Sequence, residues 1–159
     1  MEEKLTHIDE NGRPRMVNVG EKADTHRIAV AKGSIYMQPA TLARIKEGSI
    51  AKGDVLSVAQ TAGIMAAKNT ASNIPMCHNI FITGVDMDFH IDEEKSAIHI
   101  EASASTIGKT GIEMESLNAV AIAALTIYDM CKAIDRGMRI TDIRLVKKDG
   151  GKSGLFVTE

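Results

Sequence analysis

At 159 residues the chain can bury roughly 70% of its unfolded surface in one core without staples. A composition of 44% hydrophobic and 25% charged residues excludes wholesale disorder. Nineteen Lys and Arg against 21 Asp and Glu, with 3% aromatics and no Trp, exclude a basic nucleic-acid coat and an aromatic stacking platform for single strands.

The first 26 residues are polar and read as an N-terminal arm, with little structure of its own unless a partner ties it down. Arg27 to Met37 reads as a strand. Pro39 suits the first turn of a short helix that Gly48 ends. From Asp54, a plausible N-cap, to Asn69, residues Val55, Val58, Ala62, Met65 and Ala66 recur at helical spacing. Ile74-Pro75 must leave the helical region, so Met76-Cys77-His78 lies on a connection. Val85 to Ile91 and Ile98 to Ala104 alternate apolar with polar residues around the turn Asp92-Glu93-Glu94-Lys95, which predicts an antiparallel hairpin. Thr110 and Glu113 have capping-box spacing before a long helix. Its apolar face is expected to carry Met114, Leu117, Val120, Ala121, Ala124, Leu125, Tyr128 and Cys131, and Gly137 ends it. Ile140 to Val146 reads as a strand, Asp149-Gly150-Gly151 as a turn and Leu155-Phe156-Val157 as a last short strand. This order predicts one α+β domain over 1–159 of ferredoxin-like type, an antiparallel sheet with two long helices packed on one face.

Cys77 and Cys131 have no CxxC spacing and read as reduced thiols of a cytoplasmic protein. The start lacks a basic-then-apolar leader, and no run approaches the ~18 apolar residues of a membrane span. No membrane or nucleic-acid partner is expected. Cys77-His78 with the distant Cys131 does not reproduce a zinc spacing, and His7, His26, His90 and His99 are scattered, so no metal site is expected.

Two tripeptides, Gly108-Lys109-Thr110 and Gly151-Lys152-Ser153, invite a nucleotide reading. The glycine that a P-loop needs further upstream is replaced by Ser103 and Val146. For either tripeptide alone, a glycine turn with a solvated lysine is the better reading. The stretch 132–152 holds seven Lys and Arg against three Asp, which suits a small polyanion about as well as it suits a solvated surface. Asp129 and Lys132 share a helix face, and on spacing alone they are an ordinary ion pair.

Together, several segments closely resemble the MoaC family, the cyclic pyranopterin monophosphate synthases of molybdenum cofactor biosynthesis. These are Met76-Cys77-His78, the stretch from Gly108 to Glu115, the stretch from Ala123 to Ala133, and Gly150-Gly151-Lys152-Ser153-Gly154. Leu5-Thr6-His7, Met16-Val17 and Lys52-Gly53-Asp54-Val55 match in order. The resemblance implies a lyase that converts 3′,8-cyclo-7,8-dihydroguanosine triphosphate to cyclic pyranopterin monophosphate and pyrophosphate, without a cofactor. It places Asp129 at the active-site position and Lys52 and Lys132 as acid/base lysines, each able to lower the other's pKa if they converge. Met76, Cys77, His78, Met114 and Glu115 match substrate-binding positions, with Glu113 beside them. Arg27, Lys148 and Lys152 match basic positions suited to phosphates. The resemblance further implies a homohexamer, a trimer of dimers with its site near the dimer interface, which favours Lys52 and Asp129 coming from different subunits. The competing class is a non-catalytic module that binds a small ligand between subunits, with Asp129–Lys132 as a structural pair.

Overall fold

Alternation along one strand organises the molecule. In β1 (Thr25–Tyr36), Ala29, Ala31 and Ile35 point to one face and are fully buried, whereas Lys32 points to the other and is exposed. The computed structural model describes residues 7–158, so Leu5 and Thr6 of the arm lie outside the described residues. Within these, β1 is joined by β2 (Ile82–Asp92), β3 (Ala97–Gly108), β4 (Arg139–Asp149) and β5 (Phe156–Val157). The sheet is antiparallel in the order β2-β3-β1-β4-β5. Helices α1 (Pro39–Lys46), α2 (Val55–Lys68), α3 (Thr70–Asn73) and α4 (Glu113–Cys131) complete the fold. The arrangement is α+β and consistent with the ferredoxin-like expectation.

Register fixes the core. Ile35 faces Ile98, Ala31 faces Ala102 and Ala29 faces Ala104, while β2 sets Met87 opposite Ala102 and Ile91 opposite Ile98. The expected hairpin forms, with Asp92 opposite Ala97. Asp54 caps α2 as expected, its carboxylate accepting from Ser57 N at 3.0 Å. Pro39 occupies the first turn of α1. Helix α1 lacks a side-chain cap of its own. Instead the buried Asp135 reaches across from beyond α4, and its Oδ2 accepts from Gln38 N at 2.8 Å and from Thr41 Oγ1 at 3.1 Å. The four-residue α3 was not expected; Thr70 Oγ1 holds it by donating back to the carbonyls of Ala66 and Ala67.

Two local expectations are corrected. Ile112, not Thr110, is the N-cap of α4 and has no side-chain cap; the Glu113 carboxylate lies against Gly111 and pairs with Lys148 Nζ at 3.0 Å. The buried stripe of α4 is also rotated from the expected one. It runs through Ser116, Ala119, Val120, Ala123, Ala124, Ile127, Met130 and Cys131, leaving Met114 and Leu125 exposed. The helix is apolar almost all round, so periodicity does not select its inner face; close approach does. Small side chains let α4 sit near Gly33 of β1 and Gly63 of α2. A Cβ at Gly33 would lie 2.7 Å from Val120 Cγ1, and one at Gly63 would press into the Met87 thioether and 3.0 Å from Ala119 O.

At Gly63, helix propensity and packing therefore oppose each other. A side chain gains up to about 1 kcal/mol of propensity over glycine, but the collision with Met87 and the α4 backbone outweighs it. Gly63→Val is expected to destabilise the protein by about 2 kcal/mol, read as a lower urea midpoint at unchanged slope.

Candidate active site

Both ends of α4 carry the side chains that matter, and they do so far apart. At the N-terminal end, a cavity of about 380 Å³ is lined by Met76, Cys77, His78, Ile80, Thr110, Gly111, Glu113, Met114 and Glu115, together with His7, Val17, Val19 and Lys22 of the arm. Sharing Lys22, Thr110, Gly111 and Glu113, a second cavity of about 580 Å³ adds Thr25, Arg27, Lys109, Lys148, Lys152 and Ser153. Met76, Cys77, His78, Glu113, Met114 and Glu115, expected from the resemblance to bind substrate, thus surround one chamber. Arg27, Lys148 and Lys152 surround its neighbour. Both tripeptides that were weak alone meet there.

The second chamber is cationic. Lys22, Arg27, Lys109, Lys148 and Lys152 face it, against the single carboxylate of Glu113. Arg27 is aimed by its Nε donating to Gly108 O at 3.0 Å, and Lys148 Nζ by donating to Ser153 Oγ at 2.7 Å. The buried Thr25 Oγ1 in this wall has no hydrogen-bond partner, a donor such as a phosphate oxygen satisfies. Gly151, at φ +75°, leaves the room that the Arg27 guanidinium fills. Sequence reasoning passed over Lys22, Thr25 and Lys109 as site residues. The basic stretch 132–152 resolves into different places: β4 alternation sends Arg144 to the open sheet face, and only Lys148 and Lys152 reach this chamber.

The arm proves to be held by its own chain. His78 Nε2 lies 2.6 Å from Val17 O, and Lys109 Nζ donates to Gly20 O at 2.8 Å and Lys22 O at 2.7 Å. Two lining residues of the chambers are therefore also the arm's fastenings.

In the first chamber Glu115 stands out. It is 3% exposed, and its Oε2 is buried without a hydrogen-bond partner. Burial pushes its carboxyl up to about 7; its own backbone amide offsets part of this and the Glu113 charge adds to it. Burial also raises the Cys77 thiol, helped by Glu115, so Cys77 is not a poised thiolate.

At the other end of α4, Asp129 Oδ1 lies 2.8 Å from Lys132 Nζ and Asp129 Oδ2 lies 2.9 Å from Lys52 Nζ, which also donates to Asp129 O at 3.0 Å. Lys52 and Asp129 meet within one chain, which corrects the expectation that different subunits supply them. The loop before α2 runs beside the end of α4 because these helices pack antiparallel. The expected lowering of the Lys132 pKa is also corrected. Asp129 sits between the two lysines and raises Lys132, chiefly through their hydrogen bond. The hydrogen bonds from Lys132 and then Lys52 hold the Asp129 carboxyl down at about 2.

Asp129 and Glu115 are fourteen residues apart on one helix, about 21 Å along its axis. One chain therefore does not bring the Lys52–Asp129–Lys132 trio to either chamber. Among the described residues, no cluster of three or more His, Cys, Asp or Glu is placed to hold a metal, and no helix is long and apolar enough to cross a membrane.

A family model described as the MoaC family matches residues 16–151. Cyclic pyranopterin monophosphate synthase of Thermoanaerobacter pseudethanolicus is 66% identical over 155 residues, covering 98% of each chain. The protein of that name from Clostridium acetobutylicum is 64% identical, covering 98% of this chain and 97% of its own. That from a Roseiflexus species is 57% identical, covering 98% of both.

Two outcomes follow from the geometry. Because the Asp129 carboxyl is held below its ordinary 3.8, its ion pairs stabilise the fold fully above pH ~4 and lose that effect as pH falls toward 2. Asp129→Asn is thus expected to lower the thermal midpoint at pH 7 and to leave it unchanged near pH 2. Lys109→Ala is expected to unfasten the arm, seen as faster tryptic cleavage after Arg15 and Lys22 with the remaining chain intact.

Proposed function

This chain belongs to the MoaC family, and on that premise we propose that it is a cyclic pyranopterin monophosphate synthase. It is a lyase of molybdenum cofactor biosynthesis that takes 3′,8-cyclo-7,8-dihydroguanosine triphosphate to cyclic pyranopterin monophosphate and pyrophosphate. The observation that carries this reading is the pair of adjoining chambers. One is cationic and sized for a triphosphate; the other is lined by carboxylates, a histidine and methionines suited to a heterocycle. Lys22, Arg27, Lys109, Lys148 and Lys152 bind the phosphates, with the Thr25 hydroxyl as a further donor. The same cations stabilise the negative charge that gathers on pyrophosphate when a sugar hydroxyl attacks the α-phosphorus and the bridging P–O bond breaks.

Rebuilding a purine into a pterin also needs proton donors and acceptors at the rings. Lys52 and Lys132 fill these roles, with Lys132 entering as the ammonium that its Asp129 hydrogen bond favours. The span of α4 requires that the trio reach the chambers of a neighbouring subunit. Lysines of the trio then approach the Glu113–Glu115 end of the partner's helix, a match in charge. The working assembly is a homohexamer, a trimer of dimers, in the cytoplasm. Each chain contributes a single domain over 1–159, its polar arm lying over the first chamber.

The direct test is incubation with the cyclised nucleotide, following pyrophosphate and a fluorescent oxidised pterin. A non-catalytic ligand-binding module would bind the nucleotide and release neither. Lys52→Ala and Lys132→Ala are each expected to lower turnover by ~10²–10⁴-fold with the fold intact by circular dichroism. Subunit complementation tests the shared site. Co-refolded Lys52→Ala and Asp129→Ala chains are expected to stay inactive, because both lesions fall in one cluster. Co-refolded His78→Ala and Asp129→Ala chains are expected to regain roughly a quarter of wild-type sites, one in each mixed dimer. Silence in the second mixture, with mixed dimers shown by mass spectrometry, would mean that one chain supplies the whole site.

A further inference from the structure

We propose that Glu115 is a catalytic proton-transfer residue that acts on the heterocycle from the floor of the first chamber. The inference rests on the reaction assigned above and extends it to a group to which the family resemblance gives only a binding role.

The argument begins from cost. A carboxyl group removed from water with one oxygen unpaired is expensive to keep unless something compensates it. Glu115 is 3% exposed, sits in the first turn of α4 and lines the chamber, and its buried Oε2 has no hydrogen-bond partner among the described residues. Nothing in the packing requires an acid there. An apolar residue of similar size would fill the position without leaving a polar atom unsatisfied.

The titratable and charged groups around the chamber leave Glu115 uncompensated. Glu113 lies on the same helix turn, and its carboxylate is committed to Lys148 at 3.0 Å. His78, on the connection after α3, is engaged with Val17 O of the arm. Lys22 and His7 of the arm line the chamber, yet among the described residues no ion pair with Glu115 forms. Cys77 is a neutral thiol that burial holds above its ordinary range. Desolvation therefore dominates, and Glu115 shares its proton about evenly near pH 7. A group in that state is suited both to giving a proton and to recovering it.

The chemistry asks for such a group. Opening the purine breaks a ring C–N bond: the second nitrogen on that carbon gives it a lone pair to form C=N, while the departing nitrogen keeps the bonding pair and takes a proton from the Glu115 carboxyl. Closing the new ring forms a C–N bond from an amine and releases a proton, which the Glu115 carboxylate takes back. No oxidant, reductant or further co-reactant is required. The trio of Lys52, Asp129 and Lys132 is a separate acid/base set, so Glu115 makes a two-sided arrangement around the heterocycle.

The test compares Glu115→Gln with the wild type. Glutamine keeps the size and hydrogen-bonding capacity but carries no exchangeable acid. The expected result is a kcat lower by ~10²-fold or more, with KM within a few-fold. The wild-type pH profile should show a limb with a midpoint at about 7 that E115Q lacks. A ligand-free readout is difference infrared spectroscopy, in which a protonated-carboxyl band should titrate in the wild type and be missing from E115Q. A near-normal kcat in E115Q, an unchanged pH limb, or a wild type without the band would each overturn the role. Should E115Q not fold, Glu115→Asp keeps the acid and withdraws it by one methylene. Lower kcat with the pH limb retained is then expected, and normal kcat would overturn the proposal. An inactive wild type that still shows the band would count against the assigned reaction, and the catalytic role would fall with it. An active wild type with an active E115Q counts against the role alone.

Discussion

The length of α4 is the constraint on which the rest of the arrangement depends. Nineteen residues without a break set Glu113 and Glu115 at one end and Asp129 at the other. A straight helix transmits that separation without give. It also lies close to the sheet and to α2, because Val120 meets the bare backbone of Gly33 and the Ala119 carbonyl lies against Gly63. The same small residues that make the core dense therefore fix the helix as a spacer. Both ends of the helix are thereby held about 21 Å apart within one chain.

Electrostatics at the two ends are opposite in kind. At the exposed C-terminal end, two lysine side chains flank one carboxylate at 2.9 and 2.8 Å. Water screens that cluster, so each pair adds little to stability; its value lies in presenting a cation at a defined position. At the buried N-terminal end, a carboxylate is deprived of water and of a counter-ion, so its proton is retained. The folded state is penalised for this as pH rises from the ordinary carboxyl range through about 7, because the unfolded chain ionises first. Such an arrangement reduces stability where stability alone would favour an apolar residue, and groups perturbed in this way cluster at functional sites.

Much of this was legible in the residues, where local physics settles the matter. Asp54 announces its helix because a carboxylate in that place can take the Ser57 amide, and Pro39 announces the next because its missing N–H costs nothing in a first turn. The β2–β3 hairpin follows from alternation. Less was legible where several local answers were equally good. An apolar helix built on alanine offers no periodic preference, and its inner face is selected by the glycines opposite it. Asp135 capping α1 from beyond α4 leaves no local signal. Nor does Glu115: a glutamate in the first turn of a helix ordinarily complements the dipole in solvent, and only the packing around it shows that this one is buried.

The cationic chamber shows how topology turns weak signals into a site. Neither Gly108-Lys109-Thr110 nor Gly151-Lys152-Ser153 meets the spacing of a phosphate loop, and each alone reads as a solvated turn. Strand β1 lies at the centre of the pairing. Its Thr25 faces Gly108 at the end of β3, and its Ile28 faces Asp149 at the end of β4. Both turns must therefore emerge beside the start of β1, on either side of Arg27. Gly150, at φ +99°, sits directly over the His26 carbonyl, and Gly151 makes room for the Arg27 side chain. Two lysine-bearing turns and an arginine are thus gathered by register alone, forty residues apart in sequence or more. The near-neutral total charge conceals this, because composition counts charges and pairing decides which of them meet. That is why a chain of formal charge −2 can hold a pocket whose walls attract a polyanion.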